Sequence, residues 1–261
     1  MAKTLTRLLV LLVLAIHPVC LALADEILLA ADPWCPYNCG GQEEHSGFMV
    51  DIARAVFEKN GHRVIYVTVP WARAIHGTRT GQYDGIIGAG RTETPDFVFP
   101  DIEQGLACHT FYVKKGNPWQ YDGPASLDHV TLGVIRNYSY GTLFDTYIRQ
   151  HQADLAKVQV ISGESGLALN IRKLVAGRIE VLIEDRAVFQ YFLHKKGIPD
   201  DFARAGTAAM EPVYIAFSPI SADARKYADM LTREMAELRR SGALSDILKQ
   251  YGLTDWRDVD K

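Results

Sequence analysis

The sequence is poor in cysteine, in basic tracts and in long apolar runs, and each shortage removes a class of function. Its 261 residues hold 4 cysteines, with no C-x2-C pair. The 8 histidines are scattered without an H-x3-H, so a zinc site lacks its ligands; neither metal nor cofactor is expected. There is no G-x-x-x-x-G-K-[ST] loop, no Ser-His-Asp order and no nucleophile elbow, which leaves nucleotide hydrolysis and acyl transfer without their usual machinery. The 28 basic residues form no cluster against 31 acidic ones, which argues against a nucleic-acid surface. Beyond the N-terminus, no apolar segment approaches the roughly 20 residues of a membrane span. Internal repeats and low-complexity tracts are missing as well.

The N-terminus itself is distinctive. Lys3 and Arg7 precede an apolar run from Leu8 to Ile16, and Ala22-Leu23-Ala24 precedes Asp25, the layout of a secretory leader cleaved after Ala24. Cys20 as a lipidation site is one alternative, although Val19 is a poor small residue before it, and an uncleaved anchor is the other. Cleavage removes residues 1–24, with two of the 28 basic residues and none of the 31 acidic ones, leaving 237 residues with net charge −5. The expected product is a soluble protein of the periplasm. In an oxidising compartment Cys35 and Cys39 are the natural disulfide, and Cys108 stays unpaired. Their C-x3-C spacing is one residue wider than the thiol-oxidoreductase motif.

Strand and helix patterns alternate along the rest of the chain, which argues for an α/β fold of βαβ units and a mostly parallel sheet. Apolar or β-branched strands are expected at 26–31, 63–69 and 83–90, with helices at 47–61 and 71–81 between them, and a longer strand at 105–116. A connector rich in Gly, Pro and polar residues follows, and the alternation resumes at Val130. A strand is expected after Pro212, then two helices over 221–242 and 243–252. Two lobes with a cleft between them are the simplest architecture, and such clefts are preferred ligand sites.

Several stretches, taken in order, resemble one family: the periplasmic solute-binding proteins of family 3, the polar amino-acid uptake type. "GFMVDIARAVFEKNG", "VPWARAI" with "GQYDGIIGAGRTETPD", "LVAGRIEVLIEDRAV", "YIAFSP" and "LRRSGALSDILKQYG" carry the resemblance across essentially the whole mature chain. It implies a two-lobed periplasmic-binding-protein fold of type II. Residues 25–114 would form the first lobe and 115–212 the second, with 213–261 returning to the first. Hinge strands would lie near Tyr112–Lys114 and Val213–Phe217. It also implies closure of a monomer around a small polar, amino-acid-like solute, delivered to a membrane permease of the ABC type. A sensor serving a membrane receptor, and an enzyme like the cyclohexadienyl dehydratases, are the alternatives. The dehydratase would need a cleft carboxyl such as Glu164 or Glu184 as general acid.

A zwitterion in a cleft needs an aromatic cover, donors for its carboxylate and an acid for its ammonium. Trp34 is in the family's stacking place, with Tyr37 beside it and the Cys35–Cys39 staple shaping the lip. Gly88 and Gly90, with Arg91 and Thr92, follow a buried strand where ligands approach the backbone. The family's T-P-E-R arginine is missing: Asp96 stands in its place. Arg91, or Arg73 in the first turn of a helix, would have to replace it, unless Arg91 simply pairs with a carboxylate such as Glu93. Asn137, Tyr138 and Ser139 precede a helix and could seat an anion. Asp185 matches the family's ammonium acceptor and could equally cap the helix behind it, with Glu184 as the fallback acid.

Overall fold

Apolar spacing accounts for most of the helices and strands in the computed structural model, which describes residues 25–41, 45–163 and 165–258. The leader, Cys20 and Glu164 lie outside them. The strands are β1 (Glu26–Ala31), β2 (Arg63–Thr68), β3 (Gly85–Ala89), β4 (Gly105–Lys114), β5 (Leu132–Ile135), β6 (Val158–Ile161), β7 (Val181–Asp185) and β8 (Phe202–Phe217). The helices are α1 (Phe48–Lys59), α2 (Trp71–Arg79), α3 (Thr142–His151), α4 (Gly166–Val175), α5 (Arg186–Lys196), α6 (Ala224–Ser241) and α7 (Ala243–Lys249). On α1, Phe48, Met49, Ile52, Ala53, Val56 and Phe57 recur at helical spacing and are all buried. Gly61, at φ 82, turns the chain out of that helix toward β2.

The strand order is β2-β1-β3-β8-β4-β7-β5-β6. In the first lobe β1 pairs in parallel with β2 and β3; in the second, β5 pairs in parallel with β6 and β7. The strands that join the lobes run antiparallel to their neighbours: β3 with β8, and β4 with β7 and β8. Apolar clusters cover the sheet on both faces, and one of them continues from Ile27 through Tyr37 and Val213 to Phe189. On α6, buried Tyr227, Ala228, Leu231 and Met235 return the C-terminal segment to the first lobe, where Tyr227 meets Phe57 edge-on at 5.8 Å.

Two boundaries differ from the sequence expectation. β4 runs beside β7 from His109 to Tyr112 and beside β8 along its length, from Gly105 with Val213 to Lys114 with Phe202, so the strand has joined the second lobe's sheet before 112–114. The strand after Pro212 is only the last third of β8, whose earlier part, Phe202–Glu211, already pairs with β4. Proline marked a false start because it sits where β8 leaves β4 for β3, and a strand can lose one N–H there.

Candidate functional site

Between the lobes, at the carboxyl ends of β1, β3, β5 and β7, a cavity of about 70 Å³ is lined from both sides. The first wall is the loop after β1. Trp34 N donates to Asn38 O at 2.7 Å, Tyr37 N donates to Trp34 O at 3.0 Å, and a Cys35–Cys39 disulfide closes the same turn. Trp34 lines the cavity with Tyr37 stacked behind it, ring centroids 4.1 Å apart. Tyr37 is therefore a support and not a lining residue: it is buried, and its hydroxyl donates to Leu106 O and to Asp185 Oδ2.

The turn after β3 supplies Gly88, Gly90, Thr92 and Glu93. Gly88 takes φ 93 at a bulge in that strand, a conformation that favours glycine. Trp71 lines the cavity, and its indole N–H donates to Glu93 Oε1 at 2.8 Å. From the second lobe come Tyr138 and Ser139, with His109 on β4, Glu184 on β7 and Glu211 on β8. Tyr138 Oη donates to Asp32 Oδ2 at 2.9 Å, a bond across the cleft.

Several expected contacts are absent. Arg91 does not face the cavity, nor does it pair with Glu93. Its guanidinium donates to Pro100 O at 2.6 Å and lies over the rings of Phe99 and Tyr214, at 4.9 and 4.7 Å. Arg73 is exposed on α2 and does not line the cavity. Asp96 binds Arg79 on the surface. Asn137 lines an adjoining groove instead, at φ 66. The anion seat before α3 is filled from within the chain, because Ser139 Oγ and Tyr140 N both donate to Asp145. Asp185 is fully buried: Oδ1 accepts from Val188 N as the cap of α5, and Oδ2 accepts from Cys108 N at 2.7 Å. Asp185 is not among the lining residues of the cavity, and its carboxylate caps α5.

The neighbouring acid faces the cavity. Glu184 is 1 % exposed; Oε1 accepts from Asp185 N, and the Trp34 indole N–H lies against the carboxyl. His109 Nδ1 and Asn38 Oδ1 are buried without partners. Burial pushes Glu184 up to about 8, with Asp185 and Asp32 adding to the rise while the Asp185 N–H and the Trp34 indole temper it. Burial likewise raises Glu93 to about 7, its bond from Trp71 opposing the rise and Asp145, Asp32 and Glu211 adding to it. Burial and Asp145 raise Glu211, and burial alone lowers His109 to about 4, which keeps that ring neutral. Sequence reasoning missed Asp32, Asn38, His109 and Glu211, and no local motif marks them.

Two α/β lobes joined by antiparallel crossover strands, with a cavity between them lined by aromatic and acidic side chains, define a two-lobed solute-binding protein of the type II periplasmic-binding-protein fold. A family model described as bacterial extracellular solute-binding proteins, family 3, matches residues 27–254, and the chain belongs to that family. PatH of Vibrio harveyi, provisionally named an amino-acid ABC transporter-binding protein, is 23% identical over 224 residues, 83% of this chain and 84% of that protein. Among solved structures, a histidine kinase sensor domain with similarity to periplasmic binding proteins aligns at TM-score 0.71 and 17% identity, over 87% of this chain and 96% of that one. An ABC uptake transporter substrate-binding protein from Streptococcus pneumoniae with bound histidine aligns at TM-score 0.70 and 18% identity, over 87% and 92%. At such identities the likeness is one of fold.

Proposed function

We propose that the protein is exported, loses residues 1–24 and serves as a solute receptor of the periplasm. Its lobes close over a small polar, amino-acid-like molecule and present the closed form to an ABC-type permease. The observation that carries this reading is a cavity lined from both lobes in which Asn38 Oδ1 and His109 Nδ1 are buried without partners. Such atoms are rare in folded proteins unless something else meets them. The family assignment and the amino-acid transport role named for PatH support the same reading.

A dehydratase would find its protonated carboxyl in Glu184, held near 8. A dicarboxylate substrate, however, would meet Asp32, Glu93, Glu184 and Glu211, with no lysine or arginine among the described residues that line the cavity. Binding without chemistry is the better account.

The test is a thermal-shift and small-angle scattering screen of the mature protein against amino acids, opines, amines and small carboxylates. At least one compound should stabilise by about 4 kcal/mol at a thousandfold excess over its dissociation constant and reduce the radius of gyration. A screen in which nothing stabilises or compacts the protein would remove the proposal.

A further inference from the structure

The side chains that could hold a carboxylate are engaged elsewhere, while the cavity gathers acids of its own. Arg91 is held by Pro100 O and two aromatic rings, and Arg73 stays outside. The donors ahead of α3 go to Asp145, and Glu211 also sits near that helix start: a Cβ on Gly141 would lie 3.2 Å from its Oε1. Asp32, Glu93, Glu184 and Glu211 line the cavity, and among the described residues no lysine or arginine lines it with them.

A group of acids alone could be a solvated face, but this one contains atoms that water does not reach. Asn38 Oδ1 is a buried acceptor without a donor, and buried Glu184 meets only the Asp185 N–H and the Trp34 indole. A buried acceptor left unmet is costly, so the site is built for a molecule that brings N–H groups. A metal ion is a poor match. Among the described residues no three His, Cys, Asp or Glu side chains come close enough together to hold one. The positive charge wanted is thus spread along a molecule. Trp34, Trp71 and Tyr138 add aromatic walls, and aromatic faces attract ammonium and guanidinium groups.

Resting on the solute-binding reading, the geometry points to a ligand that is an organic amine without a carboxylate: ammonium or guanidinium groups on a short aliphatic chain. Glu184 and Glu93 receive its charged ends, and Trp34 covers its chain. Trp71 keeps its N–H on Glu93, which orients that carboxylate for the incoming cation.

Matched pairs test this directly. Calorimetry on the mature protein would compare cadaverine with lysine and agmatine with arginine, each pair differing by one carboxylate. The amine of at least one pair should bind tenfold or more tightly than its amino acid. Glu184→Gln and, as a second variant, Glu93→Gln should each weaken it at least tenfold, with circular dichroism confirming that both fold. Arg91→Ala should leave it within twofold. An amino acid binding as well as its amine, or a tenfold loss in Arg91→Ala, overturns the inference and leaves the solute-binding reading standing. Binding by no member of either pair overturns it too, and the wider screen above then decides the function separately.

Discussion

Glu184 is held in a state that disfavours the empty protein at high pH. Its carboxyl titrates near 4.5 in an unfolded chain and at about 8 in the folded one, so between those values the folded protein holds a proton that the unfolded chain has released. Stability therefore falls as pH rises from about 4.5 to about 8. The groups around it are Asp32 from the lip, His109 from β4, Asp185 beside it, Tyr138 and Tyr140 after β5, and Glu211 and Glu93 across the cavity. None carries positive charge at neutral pH, the buried His109 being neutral. Ligand-free Glu184→Gln should accordingly match the parent at pH 5 and exceed it at pH 8.5, on the order of a few kcal/mol. Chemical denaturation at the two pH values checks it, and a parent that gains stability on alkalinisation contradicts it. The sequence could not choose between Glu184 and Asp185, because β7 is buried on both faces and shows no alternation to mark which acid looks outward. Arg91 misled for a related reason. Its place after β3 is right for a ligand clamp, but the rings of Phe99 and Tyr214 that capture it come from distant parts of the chain.

At the scale of elements, most of the fold was legible because apolar periodicity reports burial, and burial is what makes α1 or β1 form where it does. Legibility failed where pairing, and not burial, sets the structure. The first part of β8, Phe202–Glu211, is a mixture of buried, half-exposed and exposed residues, held as a strand by its ladder to β4. The lip after β1 was legible as a staple, and the structure shows what the staple holds. The turn from Trp34 to Asn38 places one ring behind another, and Asn38 Nδ2 donates back to Asp32 O. A disulfide across so few residues restricts the unfolded chain by only about 2 kcal/mol. Its larger effect should be on the position of Trp34. The double variant Cys35→Ser, Cys39→Ser should lose about 2 kcal/mol of stability, and its ligand affinity should drop at least tenfold at a temperature where it is fully folded. Unchanged affinity would mean that the Trp34–Tyr37 stack holds the lip without help.

For the molecule as a whole, the question is what keeps two lobes together around a cavity whose own charges repel one another. The continuous strand β8 and the start of β4 tie the lobes at one edge, but strands at a crossover bend and do not by themselves fix an angle. A second tie, the bond from Tyr138 Oη to Asp32 Oδ2, joins the lip of the first lobe to the loop after β5 in the second. Both residues also line the cavity, so the latch and the ligand share one surface. A hydrogen bond to a charged group contributes about 1.5–3 kcal/mol. If it is lost on opening, its removal moves the open–closed equilibrium by that amount, and ligand affinity falls by the same factor once the open form dominates. Tyr138→Phe keeps the ring and its packing while deleting the donor. It should weaken ligand binding by about tenfold or more, slow association less than it speeds dissociation, and enlarge the ligand-free radius of gyration toward that of an open form. A variant that scatters and binds like the parent would show that the lobes are held by the crossover strands alone, with the Tyr138–Asp32 pair a passenger on the closed form.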